Sequence, residues 1–300
     1  MTPARLNRAG PEPRHAWRLW LAEFIGTAAL VAVGLSAVII DTSPSGPVAP
    51  HLGPGGRLAL TGFLFGTVGA LIAVSPVGKV SGAHINPIVT LAFVARRRMR
   101  PWLGAGYVAA QLSGAIAGAA TLLAWGHLGR EVSFGVTIPG RAYGPGLALA
   151  GEAVTSTALI VLLFCFLGAR RLRAFTPLLF PPLYALMVYL EAPVSGTSTN
   201  PARSLGPAVI AGVWHGWWVY WAGPVAGALI GVLLTRVHPL RRLELDVAKV
   251  YHFEHDPHGL LSWFGEDGLP GGPNRHGEPA HRPPPPAGAT RPPPPADATR

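Results

Sequence analysis

Charged residues and cysteines are scarce in this sequence. Only 13% of its 300 residues are charged, against about 25% in ordinary soluble proteins, while 49% are hydrophobic. The one cysteine, Cys165, excludes a disulfide scaffold. The 38 glycines and 32 prolines follow no Gly-X-Y period, which excludes collagen. The composition therefore predicts a polytopic membrane protein with a polar tail.

Positive charge is present, with a formal net charge of +10, but its distribution does not suit nucleic-acid binding. The arginines form clusters that separate apolar stretches instead of lining one basic surface. These clusters are Arg5, Arg8, Arg14 and Arg18; Arg96, Arg97, Arg98 and Arg100; Arg170, Arg171 and Arg173; and Arg236, Arg241 and Arg242. We interpret them as topology signals of a membrane protein.

Six apolar stretches are candidates for membrane-spanning helices, each of which needs about 20 residues. They are Trp17–Ile40, Leu58–Val77, Trp102–Trp125, Gly146–Leu167, Phe175–Leu190 and Trp217–Thr235. The fifth is short and contains Pro177, Pro181 and Pro182, which cost little near a helix start. With six spans, all four arginine clusters fall on the same side, so the positive-inside rule predicts that both termini are cytoplasmic.

Two further apolar stretches, Ile85–Val94 and Pro201–Val213, are too short to cross a bilayer. An asparagine followed by proline, Asn86-Pro87 or Asn200-Pro201, stands at the beginning of each stretch and is a helix-start signal. We predict half-helices that enter the membrane and return, as is possible where protein or a water-filled cavity covers the backbone. The alternative, a pair of surface loops, would leave apolar residues in water.

The second half of the chain repeats the first. The segment SGAHINP at 81–87 parallels SGTSTNP at 195–201, and Glu23 and Glu152 stand in matching upstream segments. The matching downstream pairs are Tyr107 and Tyr220, Gly114 and Gly227, and Gly118 and Gly231. Each half contains three spans and one half-helix, and an odd number of spans gives two inverted repeats. The half-helices therefore enter from opposite faces, and their N-termini meet near the midplane.

Two helix N-termini that face one point would exclude cations. Each presents free N–H groups and about half a positive charge, so a cation or proton is repelled while a neutral molecule with lone pairs passes. Asn86 and Asn200 add side-chain amide donors there. Arg203, one turn into the second half-helix, is a charge at membrane depth and indicates a functional pathway. The alternative for Arg203 is a structural ion pair with a carboxylate.

The two Asn-Pro motifs, the Ser-Gly-Ala-His segment and the Asn-Pro-Ala-Arg-Ser run resemble those of the major intrinsic protein family, the aquaporins and aquaglyceroporins. The resemblance covers Trp17–Arg236. It implies an all-α membrane fold with six transmembrane helices and two re-entrant half-helices, and a homotetramer with one pore per protomer. It also implies a pore constriction formed by Asn86, Pro87, Ile88, Asn200, Pro201 and Ala202. Ile88 is bulkier than the alanine that the family usually has there.

The resemblance further implies a selectivity ring on the outer side of the two Asn-Pro motifs. Arg203 and Thr197 match its arginine and its loop position, and Val188 matches its fifth-helix position. The second-helix position is open between two neighbours: counting back from the first motif gives Gly66, whereas residue type favours Phe65.

The features that separate water channels from glycerol facilitators point in both directions. Val188 stands where strict water channels usually have a histidine, which predicts a wider ring. Ser204, Ala208 and the Tyr220-Trp221 pair resemble water channels. We favour a water channel that also passes a small neutral solute.

Two glutamates and a histidine are predicted to support the re-entrant loops. In the family, glutamates such as Glu23 and Glu152 accept hydrogen bonds from the loop backbone. The alternative is a proton relay, because carboxylates within the membrane often mark coupled transport. His84 is expected to hold its loop instead of forming a gate.

The sequence divides into five regions. They are a cytoplasmic N-terminal segment (1–16), a first repeat (17–125), an extracytoplasmic connecting loop (126–145), a second repeat (146–236) and a cytoplasmic, largely disordered tail (237–300). The tail ends in two proline-rich repeats, RPPPPAGAT and RPPPPADAT, which favour polyproline II and are able to dock a proline-reading partner. A plasma or inner membrane of bacterial type is the expected location.

Other tail residues have weaker interpretations. His252, His255 and His258 are three residues apart, but Pro257 opposes the helix that a metal site would need. An apolar group is predicted to lie against the membrane surface: Leu260, Leu261, Trp263 and Phe264.

These features predict a passive channel that conducts water, admits small uncharged solutes in addition, and excludes ions and protons. The alternatives are a facilitator of glycerol or similar solutes, a coupled secondary transporter, which would need titratable groups at the midplane, and a membrane anchor for the tail. No nucleophile–base pair or metal-ligand cluster in the membrane region indicates an enzyme. No cofactor, metal or catalytic residue is expected; the expected partners are water, small neutral solutes such as glycerol, lipid and other copies of the chain.

Overall fold

A computed structural model describes residues 13–237, 240, 245, 248–253, 260 and 261. No β-strand occurs among these residues. Their α-helices are α1 (Ala16–Thr42), α2 (Pro54–Val74), α3 (Pro76–Ser81), α4 (Pro87–Ala95), α5 (Pro101–Thr121), α6 (Gly126–Glu131), α7 (Gly144–Gly168), α8 (Thr176–Ser195), α9 (Pro201–Ala211) and α10 (Val219–Leu234). The all-α prediction is therefore confirmed.

The long apolar helices agree with the predicted spans. Five of them, α1, α2, α5, α7 and α8, are long and apolar enough to cross a membrane, and α10 is a shorter apolar helix of 16 residues. In α8, Pro177 lies in the first turn, while Pro181, Pro182 and Pro193 lie inside the helix. The prolines therefore do not divide α8, which continues to Ser195 beyond the predicted end at Leu190.

The two short helices α4 and α9 start as the sequence predicts. Asn86 and Asn200 have extended backbone angles, with φ of −157° and −152°, and a proline follows each of them. The Asn86 Oδ1 atom accepts a hydrogen bond from the Ile88 N–H at 3.0 Å, and Asn200 Oδ1 accepts one from Ala202 N–H at 3.0 Å. These bonds satisfy helix N–H groups that have no partner within the helix.

The duplication is visible in the way each half closes its loop. The Tyr107 hydroxyl donates to the Ser81 carbonyl at 2.6 Å, and the Tyr220 hydroxyl donates to the Ser195 carbonyl at 2.6 Å. Glycines at the predicted positions let helices approach closely, because a Cβ atom on Gly114 would overlap the carbonyl oxygen of Phe24 in α1.

Arginines collect at one end of the helix bundle, which we name the arginine-rich face. Arg96, Arg97 and Arg98 follow α4, and Arg170 and Arg171 follow α7. Contacts join these regions: the guanidinium of Arg236, after α10, donates to the last residue of α4, the Ala95 carbonyl, at 2.7 Å. The end of the bundle where α1 ends and α2 begins is the opposite face.

Part of the tail packs against the bundle. Leu260 and Leu261 are 4% and 1% exposed and belong to the hydrophobic core, so they face protein instead of the membrane surface predicted for them. Residues 1–12, Trp263, Phe264 and the proline-rich repeats lie outside the described residues.

Candidate pore and constriction

The loop before α4 is held by a buried carboxylate. Glu23 in α1 accepts hydrogen bonds from the backbone N–H groups of His84 at 3.0 Å and Ile85 at 2.7 Å. The Gln111 side chain donates to the same carboxylate at 2.7 Å. Because Glu23 is completely buried, these donors offset the cost of removing its oxygens from water.

The loop before α9 is held in the same way. Glu152 in α7 accepts hydrogen bonds from the N–H groups of Ser198 at 2.6 Å and Thr199 at 2.8 Å, and the Ser195 hydroxyl donates to it at 2.7 Å. Both loops contain residues in the left-handed region at equivalent places: Ala83, Ile85, Thr197 and Thr199, with φ of 55°, 42°, 51° and 50°. Such backbone is unfavourable for residues other than glycine, so the carboxylates stabilise a strained conformation.

The two loops meet through reciprocal hydrogen bonds. The Asn86 side-chain amide donates to the Thr199 carbonyl at 2.8 Å, and the Asn200 amide donates to the Ile85 carbonyl at 2.9 Å. Each asparagine thus caps its own half-helix with Oδ1 and uses one N–H to join the other loop. An amide nitrogen has two N–H groups, so each side chain keeps a second donor.

A narrow cavity of about 40 Å³ passes the point where the loops meet. Its wall includes both Asn86 and Asn200, together with His84, Val89 and, from the tail, Val250. The N-termini of α4 and α9 therefore border one space, as the inverted repeat predicts. The wall of the cavity therefore combines polar groups of the two loops with apolar side chains.

A wider vestibule of about 210 Å³ opens toward the opposite face. Phe65, Val188, Thr197 and Arg203 all line it. The Arg203 guanidinium lies 5.9 Å from the centre of the Phe65 ring and donates to the Gly135 carbonyl at 2.8 Å. Its hydrogen-bond acceptor is thus a carbonyl and not the carboxylate that the structural alternative required.

The structure separates the roles of Phe65 and Gly66. A Cβ atom at position 66 would overlap the backbone oxygen of Phe180 in α8, so Gly66 lies where α2 and α8 are in close contact. The Phe65 ring instead lies beside Arg203 at the narrow end of the vestibule, 5.6 Å from the Tyr184 ring. Of the two neighbours, Phe65 lines the vestibule beside Arg203, and Gly66 lines the narrow cavity.

Two other predicted residues lie within the packed interior. Ile88 is completely buried in the hydrophobic core, whereas Val89 lines the cavity. The His84 ring stacks on Phe93, with 4.7 Å between ring centres, and its Nδ1 atom is 3.0 Å from the Thr90 hydroxyl. These contacts support a loop-holding role for His84.

Side chains that are able to bind a metal ion lie apart in the part of the chain that the structure describes. No group of three or more His, Cys, Asp or Glu side chains there is arranged to hold a metal ion. Of the three tail histidines, His252 is described, and His255 and His258 lie outside the described residues.

Sequence reasoning missed two groups of residues near the pore. Glu191 in α8 bonds to the ring candidate Thr197, and an acidic residue within a membrane span is a signal that could have identified it. Ala248, Lys249 and Val250 cover the end of the cavity at the arginine-rich face. Their contacts join residues more than 160 positions apart, and no local pattern indicates such a pairing.

Comparisons with known proteins agree on a single family. The family described as Major intrinsic protein matches residues 12–235. Aquaporin NIP1-1 of Oryza sativa subsp. japonica is 38% identical over 213 residues, which is 70% of this chain and 70% of that protein. The lens fiber major intrinsic protein of Gallus gallus is 34% identical over 220 residues, 73% of this chain and 80% of that protein.

A solved structure supports the same fold. The aquaglyceroporin from Plasmodium falciparum superimposes with a TM-score of 0.60 at 19% identity. The match covers 73% of this chain and 95% of that one.

Proposed function

This chain belongs to the major intrinsic protein family, and from that premise we propose that it is a passive water channel that also admits small uncharged solutes and excludes ions and protons. Family membership alone makes it a multi-pass membrane protein and a channel for water or small solutes, a family of channels rather than enzymes. The selectivity of the channel, its oligomeric state and its orientation in the membrane are the parts that we propose.

One observation carries the proposal: the N-termini of α4 and α9 border the same narrow cavity. Each terminus contributes about half a positive charge, and the surrounding wall of apolar side chains screens that potential poorly. A cation that enters must lose its water shell in a positive potential. A water molecule instead accepts hydrogen bonds from Asn86 and Asn200, so neutral molecules pass and cations do not.

Selection by size belongs to the vestibule. We assign the narrowest ring to Phe65, Val188, Thr197 and Arg203, whose side chains line one space. Arg203 supplies several fixed donors for the oxygen of a permeant, and the Phe65 ring limits the width. Val188 is apolar and adds no further donor.

A second candidate, a facilitator of glycerol or a similar neutral solute, is favoured by the same Val188. A valine lets the carbon side of a polyol pass at a point where an imidazole would occupy space and hold water. Whether the channel favours water or glycerol depends on which property of the ring dominates. One property is the width that Phe65 sets, and the other is the apolar wall that Val188 provides.

The apolar outer surface supports a homotetramer embedded in lipid, with one pore in each protomer. Large hydrophobic side chains are exposed along the membrane-spanning helices, including Val33, Leu71, Val154 and Leu186, and such patches are covered by lipid or by another copy. The arginine-rich face is assigned to the cytoplasm of a plasma or inner membrane, by the positive-inside rule.

Osmotic-shock light scattering of proteoliposomes tests the proposal, with water and glycerol measured in one preparation. The informative variant is Val188→Phe, which narrows the ring and is expected to reduce glycerol entry about tenfold and water entry about twofold. Val154→Phe is the matched control, because Val154 is 68% exposed on α7 and away from the pore. It should leave both rates unchanged.

The two solutes separate the candidates. Fast water flux with little glycerol entry supports the water channel, and rapid glycerol entry that Val188→Phe abolishes supports the facilitator. Wild-type fluxes equal to those of empty liposomes contradict an open channel.

A further inference from the structure

Glu191 is a buried acid that lies beside the proposed selectivity ring and has no part in the proposed function. It lies in α8 and is 7% exposed. Its Oε2 atom accepts a hydrogen bond from the Thr197 hydroxyl at 2.6 Å. Its Oε1 atom accepts none from the residues that the structure describes. Burying an acid whose Oε1 atom has no hydrogen-bond donor among the described residues costs free energy. This cost indicates a role for Glu191 other than packing.

The space for this carboxylate depends on a glycine in the neighbouring helix. A Cβ atom at Gly151 in α7 would lie 2.5 Å from Glu191 Oε1 and 3.2 Å from its carboxyl carbon. A side chain at position 151 would therefore meet the Glu191 carboxylate. The pair Gly151 and Glu191 therefore preserves the contact with the ring.

The contact decides what Thr197 offers to a permeant. A hydroxyl has one proton, and at 2.6 Å from Glu191 Oε2 that proton is committed to a short hydrogen bond. Thr197 is left with its lone pairs, so it acts toward the vestibule as an acceptor. Arg203 in the same wall is a donor only.

We propose that Glu191 is a positioning residue that sets Thr197 as the acceptor of the ring and thereby selects solutes that carry both a lone pair and an O–H or N–H group. This inference rests on the proposed function, because it needs Thr197 and Arg203 to form the ring.

A double-mutant cycle in full-length protein tests the role of Glu191. Glu191→Leu removes the acceptor, so the Thr197 proton is free to turn toward the vestibule and the hydroxyl no longer offers a fixed lone pair to a permeant. The ratio of glycerol flux to water flux should fall about threefold to tenfold, the equivalent of one net hydrogen bond. Thr197→Val alone should lower the ratio similarly, and Glu191→Leu added to Thr197→Val should change it no further.

Glu131→Leu is the control for loss of an acid, because Glu131 lies in α6, bonds to Ser43 and Ser45 at the opposite face, and is not among the residues that line the vestibule. A glycerol-to-water ratio that stays at the wild-type value in Glu191→Leu overturns the inference, as does a further fall in the double variant. Failure of the proposed function looks different, since then neither the wild type nor any variant conducts either solute.

A second inference comes from the tail, where residues 248–253 form what we name the cap segment. Three successive residues bind the loop before α4: the Ala248 carbonyl is 3.0 Å from His84 Nε2, Lys249 Nζ donates to the Lys79 carbonyl at 3.1 Å, and the Val250 N–H donates to the Gly82 carbonyl at 2.9 Å. Ala248 and Lys249 are completely buried, and Val250 is 2% exposed.

The cap segment lies over the end of the cavity at the arginine-rich face. Val250 lines the same narrow space as Asn86 and Asn200. At the other end of the segment, the Arg173 guanidinium lies 5.2 Å from the Phe253 ring, between α7 and α8. The segment therefore reaches from the loop before α4 to the α7–α8 connection. The Ala248 N–H also donates to the Leu261 carbonyl at 3.1 Å, which joins the segment to a later part of the tail.

From this placement we infer that the cap segment is an autoinhibitory plug that closes the cytoplasmic end of the pore and leaves it when the channel conducts fully. The cap segment forms no helix, in contrast to the elements around it, and hydrogen bonds from three of its residues hold it to α3 and the loop before α4. Its release therefore breaks no helical hydrogen bonds of its own, as is typical of segments that open locally. Because the segment is part of the chain, closure needs no second molecule.

Full-length variants test the plug by water flux per protomer. Ala248→Glu places a carboxylate at a completely buried position and should release the cap segment, raising water flux about threefold or more. The matched control is Ala287→Glu, the same change in the first proline-rich repeat, which should leave flux unchanged. Val250→Ala is a second variant that keeps the backbone bond to Gly82 but shortens the side chain in the cavity, and it should raise flux by a smaller factor.

The measured water fluxes test both the plug and the channel. Water flux in both Ala248→Glu and Val250→Ala that equals or falls below the wild type overturns the plug. A silent wild type with a conducting Ala248→Glu supports both the plug and the channel, whereas silence in all variants contradicts the channel itself.

Discussion

Arg203 is a single residue that places a permanent charge in the wall of the vestibule. Its guanidinium is anchored by the Gly135 carbonyl and lies beside the Phe65 ring. A planar group held at two sides keeps its remaining N–H donors in one orientation. In the proposed channel, we expect this charge to repel cations and these donors to bind a permeant oxygen, so that one side chain contributes to both exclusion and passage.

Replacing Arg203 separates these two contributions. Arg203→Val should raise glycerol entry about tenfold, because the ring widens and loses its charge, and should let protons leak where the wild type shows none. Water flux should change by less than about twofold. Proteoliposomes loaded with a pH-sensitive dye measure the leak. Arg141→Val, at an exposed position in the connecting loop, is the control, and an intact proton barrier in Arg203→Val would contradict this account.

The elements that form the constriction are two short helices, and their ends are held from outside. Glu23 in α1 and Glu152 in α7 each accept two loop N–H groups. The pair of helices that carries each glutamate packs closely through small residues, as the Gly114 contact with Phe24 illustrates. The position of α4 and α9 is thus set by the long helices more than by contacts of their own.

Replacing either glutamate with glutamine removes one of its two acceptor oxygens and tests this dependence. In Glu23→Gln or Glu152→Gln an amide N–H would face loop N–H groups, which leaves buried donors unsatisfied at about 1–3 kcal/mol each. The melting temperature in detergent should fall by about 5–10 °C, and by a similar amount in both variants. Glu131→Gln should melt like the wild type. Variants with wild-type melting temperatures but altered proton uptake would instead favour a proton relay.

For the whole molecule, the sequence was sufficient to predict those features that depend on a local or a repeated pattern. The Asn86 and Asn200 helix starts, the six apolar helices and the paired glutamates all follow from motifs or from the duplication. The choice between Phe65 and Gly66 did not, because it depends on how closely α2 and α8 approach at Phe180. The burial of Leu260 and Leu261 was also missed, since an apolar pair in a polar tail suits either lipid or protein, and only the fold decides.

The reciprocal bonds between Asn86, Asn200 and the two loops also set an order of events during synthesis. Asn86 finds its partner carbonyl 113 residues later in the chain, at Thr199. When the first repeat leaves the ribosome, its half-helix therefore has no partner for that amide, and the constriction does not yet exist. A conducting path arises only after the second repeat has been inserted. We therefore expect a chain truncated before Thr199 to form no pore.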